Sequence, residues 1–89
     1  MKMRSTIVEE IKPDDTSVIV KFEGDARKQH FEVKFRDWNP YRNKMRKWDL
    51  WKLKIVWESE IFEDSKGKKS YFTYLIGSEA EYLSGVFGD

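Results

Sequence analysis

The residues best placed to do chemistry in this 89-residue chain lie between positions 34 and 54. Eight cations fall there: Lys34, Arg36, Arg42, Lys44, Arg46, Lys47, Lys52 and Lys54. Asp37 and Asp49 alone oppose them, so the window carries +6, while residues 1–33 carry −1 and residues 55–89 carry −4. Trp38, Tyr41, Trp48 and Trp51 are interleaved with the cations. That combination suits a single-stranded nucleic acid. Cations neutralise phosphates, and flat rings stack on bases at roughly 1–3 kcal/mol per base. The candidate binding residues are Lys34, Arg36, Trp38, Tyr41, Arg42, Lys44, Arg46, Lys47, Trp48, Lys52 and Lys54. Arg and Trp are also the favoured anchors of protein–protein interfaces. The same surface therefore supports a second reading, a small interaction module (inhibitor or adaptor) docking on a partner protein.

Catalysis finds no comparable grouping. The lone histidine, His30, lies in a segment that reads as a strand, and a Ser-His-Asp or Cys-His arrangement would need it. No G-x-S-x-G, HExxH, Walker or GxGxxG pattern occurs. The carboxylates come as neighbours, Glu9-Glu10, Asp14-Asp15 and Glu63-Asp64. Adjacent strand residues point to opposite faces, so such pairs do not form a two-carboxylate site. The expectation is a protein that is not an enzyme, with no catalytic residue, metal or cofactor.

Composition bounds the rest. No cysteine is present, so disulfides and thiolate metal sites are excluded. No apolar run approaches the roughly 20 residues that span a bilayer as a helix. The opening residues, Met1-Lys2-Met3-Arg4-Ser5-Thr6, lack the pattern of a signal peptide, so a cytoplasmic protein is expected. With 39% hydrophobic and 16% aromatic residues, the chain has the bulk for one compact domain over residues 1–89. A monomer or homodimer is expected.

The elements that must carry the candidate residues read mainly as strands. Residues 5–11 are rich in β-branched side chains, and Lys12 to Thr16 form a turn. Ser17 to Glu23 alternates, with Val18, Val20 and Phe22 on one face. Gly24 to Lys28 suits a hairpin connection to a strand over Gln29 to Trp38, which places Phe31, Val33 and Phe35 opposite Lys34 and Arg36. Strict alternation puts Trp38 on the polar face. Asn39-Pro40 offers an N-cap and a first helical position, and Tyr41, Met45 and Trp48 recur at helical spacing, so a short helix near 40–48 competes with an irregular basic loop. Leu50 to Glu63 is a long strand with Trp51, Leu53, Ile55 and Trp57 on its apolar face, both tryptophans expected in the core.

Asp64 to Lys69 is a turn. Ser70 to Ile76, apolar on both faces, reads as a central or well-covered strand ended by Gly77. Ser78 to Glu81 has the pattern of a capping box for a short helix near 79–84, with Val86-Phe87 packing back on the sheet. Short connections favour antiparallel pairing of successive strands. The expected architecture is mainly β, α+β at the margin. It is a five-stranded antiparallel sheet or small barrel, OB-like or SH3-like, the OB comparison resting on element order alone. Pairing of the strands that carry Lys34–Arg36 and Lys52–Lys54 would join them in one basic platform.

Overall fold

The computed structural model describes residues 1–85. Five strands form the fold: β1 (Lys2–Ile7), β2 (Ser17–Phe22), β3 (Phe31–Phe35), β4 (Leu50–Glu63) and β5 (Lys69–Ser84). They close into a barrel in the order β1-β2-β3-β5-β4, with β4 returning to β1. This is the strand order of an OB barrel. Successive strands pair antiparallel, except that β5 enters between β3 and β4. It runs parallel to β3, with Val33, Lys34 and Phe35 opposite Leu75, Ile76 and Gly77.

The alternation read from the sequence sets the barrel interior. Ile7, Val18, Val20, Val33, Phe35, Trp51, Leu53, Ile55 and Leu75 point inward and are buried. Ile11, from the β1–β2 connection, and Met45, from the segment after β3, join them.

Both expected helices are absent, for different reasons. Near 40–48 the cap signal works: Asn39 Oδ1 accepts the Arg42 N–H at 2.8 Å, and the Asn43 N–H reaches the Asn39 carbonyl at 3.1 Å. One turn forms and then stops, because Lys44 and Trp48 take left-handed backbone angles, φ of 63° and 75°. Met45, fully buried, closes the barrel end from this loop. Near 79–84 the chain stays in β5. Glu79, Ala80, Glu81 and Tyr82 pair with Lys54, Leu53, Lys52 and Trp51, so long-range ladder bonds override the local capping pattern. Val86 and Phe87 lie outside the described residues.

Gly77 does not end its strand either. It sits opposite both Ile55 and Phe35, at the point where β5 shifts register against β4 and Ser78 is the extra residue. A Cβ built on Gly77 would lie 2.8 Å from Phe35 Cδ1 and closer still to Cε1. Side chain and backbone occupy one space there, and only glycine leaves it free.

Beyond Ile55 on β4 and Leu75 on β5 the two strands leave the barrel together. They form a two-stranded arm ending in the turn at 64–68, where Asp64 Oδ1 accepts the Lys66 and Lys68 N–H groups. The arm overturns two expectations. Trp57 is 58% exposed rather than core, and Tyr71 and Phe72 are exposed rather than covered. Apolar periodicity continues past the barrel rim, but the barrel does not.

The Phe35 ring is itself buried and cannot yield freely, so Gly77→Ala is expected to destabilise the fold by about 1–3 kcal/mol, as overpacked cores do. Gly24→Ala is the comparison: Gly24 has φ +89° but nothing within 4 Å of an added Cβ, so it suffers backbone strain alone. Urea unfolding of both variants measures the difference. An unchanged midpoint for Gly77→Ala would remove the steric argument.

Candidate nucleic-acid interface

The structure divides the sequence candidates into three groups. The first is Lys34 and Arg36, on the outer face of β3 and just beyond it. Lys34 Nζ sits 4.1 Å from the centroid of the Tyr74 ring, and Arg36 donates to both Glu58 carboxylate oxygens from its two terminal guanidinium nitrogens. Arg36 therefore spends its charge within the molecule. The Tyr74 hydroxyl is held above its ordinary value of 10.0, first by lost hydration and then by the negative charge and hydrogen bond of Glu60. Along the same face of the arm, Phe72 and Phe62 follow Tyr74, their rings edge-to-face with centroids 5.4 Å apart.

The second group is Lys52 and Lys54, on the outer face of β4. These do not meet Lys34 and Arg36, because β5 lies between β3 and β4. The single basic platform is therefore not formed. Lys52 and Lys54 face Arg4 and Lys2 across β1, and Glu81 and Glu79 across β5. A shallow pocket of about 260 Å³ lies among Lys2, Lys52, Lys54, Glu79, Ala80 and Glu81. Cations and carboxylates alternate here, and Arg4 also pairs with Glu23. Lys2 and Arg4 lie outside the basic window of the sequence, and only the β1–β4 register brings them in.

The third group is the loop of residues 36–49, which spans one end of the barrel. Arg42, Lys44 and Arg46 are exposed and Lys47 is half-buried. No carboxylate pairs with any of the four among the described residues. Two of these cations rest on rings: the Arg46 guanidinium carbon lies 4.4 Å from the Tyr41 centroid, and Lys47 Nζ lies 4.9 Å from the Trp48 centroid. Trp48 is 52% exposed, not core. Trp38 takes the opposite course. It is half-buried and packs on Phe35 and Trp51, with ring centroids 4.7 and 6.1 Å away, so it belongs to the barrel wall rather than to an exposed stack. Strict alternation fails for Trp38 because β3 ends at Phe35 and Asp37 turns the chain at φ 55°.

Asp49 holds this loop in shape. It is buried, and its Oδ2 accepts the Arg46 N–H at 2.8 Å and the Trp51 Nε1–H at 3.2 Å. Its backbone receives the Ile7 N–H, while the Trp48 N–H is donated to the Ile7 carbonyl at 2.6 Å. The left-handed φ of Trp48 is fixed between these bonds. A bulky residue in that region is a strained one, at a cost of about 1–2 kcal/mol.

No protein-family model matches the sequence, and no curated protein sequence matches it. Solved structures do. Two crystal structures of the mitochondrial single-stranded DNA-binding protein Rim1 from S. cerevisiae, one of them selenomethionine-labelled, superpose with a TM-score of 0.59. In each, 18% of residues are identical, and the match covers 96% of this chain and 94% of the other. The likeness is one of fold. It extends over nearly the whole of both chains.

Asp49→Ala leaves the buried Trp51 indole N–H and the part-buried Arg46 N–H without an acceptor, so a loss of about 1–3 kcal/mol is expected. Chemical denaturation measures it. Faster amide exchange at Arg46 and Trp48 would show that the loss is local to the loop, and unchanged exchange there would contradict the anchoring role.

Proposed function

We propose that this protein binds single-stranded nucleic acid, with the loop of residues 36–49 as its principal contact. The observation that carries this reading is the loop itself. Arg42, Lys44, Arg46 and Lys47 have no carboxylate partner among the described residues, and two of them sit on exposed rings. Phosphates meet the cations, and bases stack on Tyr41 and Trp48. The strained backbone at Trp48 supports the same role: a ring held outward at a conformational cost is a common sign of function. The outer face with Lys34, Tyr74, Phe72 and Phe62 offers a second set of rings beside a cation. The OB barrel and its single-stranded DNA-binding neighbours are in keeping with this use of the fold, although fold alone does not determine function.

Fluorescence anisotropy of labelled single-stranded and duplex oligonucleotides tests the reading. If all four loop cations meet phosphates, affinity falls roughly fifty-fold between about 50 and 200 mM salt, at a slope of about −0.7 per contact. Changing Arg42, Lys44, Arg46 and Lys47 together to Gln is expected to remove most of that slope and most of the affinity. Normal affinity in this variant would refute the loop. Absence of any binding by the wild type at the lower salt would refute the nucleic-acid reading and favour a protein partner for the same surface.

Trp48→Gly separates stacking from folding. Glycine accepts φ near +75° without strain, so the melting temperature is expected to stay level or rise. Affinity is expected to fall about tenfold or more, the value of one lost base stack. A variant that binds as tightly as the wild type would remove Trp48 from the site.

A further inference from the structure

Among the described residues, Arg36 is the one cation between positions 34 and 54 that forms an ion pair. Its Nη1 donates to Glu58 Oε2 at 2.8 Å, and its Nη2 donates to Glu58 Oε1. The planar guanidinium fork accepts a carboxylate and a phosphate in the same two-pronged way. The pair is also open to exchange. Its side chains are 65% and 37% exposed, and exposed pairs hold weakly.

The place of this pair matters as much as its geometry. Arg36 leads out of β3 into the basic loop, and two residues earlier Lys34 rests on Tyr74. Glu58 stands opposite Tyr74 in the β4–β5 ladder, at the root of the row Tyr74, Phe72 and Phe62. The pair therefore marks the junction between the loop and the outer row of rings. Other carboxylates gather there. Asp37 is exposed beside Arg36, and a cleft of about 600 Å³ is lined by Arg36, Asp37 and Glu79 among others. Glu60 accepts the Tyr74 hydroxyl at 3.4 Å. With Glu58 in place, the junction offers a phosphate no uncancelled cation.

We propose that Glu58 sets one end of the nucleic-acid site by occupying Arg36 in place of a phosphate. This rests on the nucleic-acid reading of the loop and adds to it where the strand meets resistance. A phosphate reaching Arg36 must displace a carboxylate and then lie beside it, like charge against like. A strand held by the loop thus meets a repulsive step before the outer rings. Glu58→Gln removes that step. The amide keeps the shape and still accepts one hydrogen bond from Arg36, but it leaves the guanidinium charge uncancelled.

Fluorescence anisotropy on the full chain tests this with oligothymidines of about 4 to 16 nucleotides, the range of site sizes for one OB fold. Glu58→Gln is expected to bind the longer ones at least about threefold more tightly than the wild type near 50 mM salt, and to bind the shortest equally. Its salt slope steepens by about 0.7, the value of one added phosphate contact. The gain is therefore roughly two- to threefold smaller at about 200 mM salt. Circular dichroism is expected to be unchanged, because the pair is exposed. In the Arg36→Gln background, Glu58→Gln is expected to bring no gain. Glu60→Gln removes the same charge from the same face but releases no arginine, so its gain is expected to be less than half as large. Wild-type affinity and slope in Glu58→Gln at every length would overturn the proposal. So would a gain that persists without Arg36 or is matched by Glu60→Gln, since either is the loss of a negative charge alone. These outcomes leave the loop reading standing, because the wild type still binds and its loop variant does not. Absence of binding by both the wild type and Glu58→Gln would overturn the two together.

Discussion

The packing of the Phe35 ring against the bare backbone of Gly77 is the contact on which the architecture depends. β5 has two tasks along one strand. Its first half pairs with the distal part of β4, and its second half must lie between β3 and β4 to close the barrel. The change happens at Gly77, where β5 faces Ile55 on one side and Phe35 on the other, and Ser78 is the extra residue that shifts the register. A side chain at that point would press against the Phe35 ring and strain the contact between β3 and β5. Closure along this contact removes open strand edges, which are the usual route to unwanted strand pairing. It also decides the surface. Inserting β5 separates Lys34 and Arg36 from Lys52 and Lys54, and it sends the first half of β5 out with β4 as the arm.

Closing the end of the barrel is a second constraint, met here without a helix. The loop of residues 36–49 contributes Met45 and Pro40 to the interior and returns the chain to β4 through Asp49. Asp37, Lys44 and Trp48 all take positive φ, so the chain reverses direction several times in a short span. The strain is offset by specific bonds: the Asp49 carboxylate holds the Arg46 N–H and the Trp51 indole, and Ile7 holds Trp48 and Asp49 by their backbones. A helix at this place would have spread the same cations around its circumference. In the loop two of them, Arg46 and Lys47, rest on the rings of Tyr41 and Trp48.

Local patterns in the sequence read correctly wherever local physics decides. Alternation located β2, β3 and β4, and the turn chemistry of Asp64 and Gly67 located the hairpin tip. The Asn39 cap was legible as a cap. What could not be read depends on distant partners. Asn39 starts a turn, but whether a helix follows is settled by the bonds that fix Lys44 and Trp48. The Ser78 to Glu81 pattern suits a helix, yet its residues find a ladder on β4. Trp57 has the same parity as Trp51 and Ile55, and nothing in that parity says where the barrel wall stops. In the same way, Lys2 and Arg4 join Lys52 and Lys54 only through the β1–β4 register.

Net charge near zero therefore describes this surface poorly. Much of the opposite charge is cancelled in place, by Arg4 on Glu23, Arg36 on Glu58, and Lys52 and Lys54 set against Glu81 and Glu79. The loop cations are not cancelled, and at a Debye length of about 8–10 Å a phosphate approaching them senses the loop rather than the chain total. The arm grows from the opposite end of β4 and offers apolar rings on a neutral face. The basic loop and the arm therefore lie at the two ends of β4.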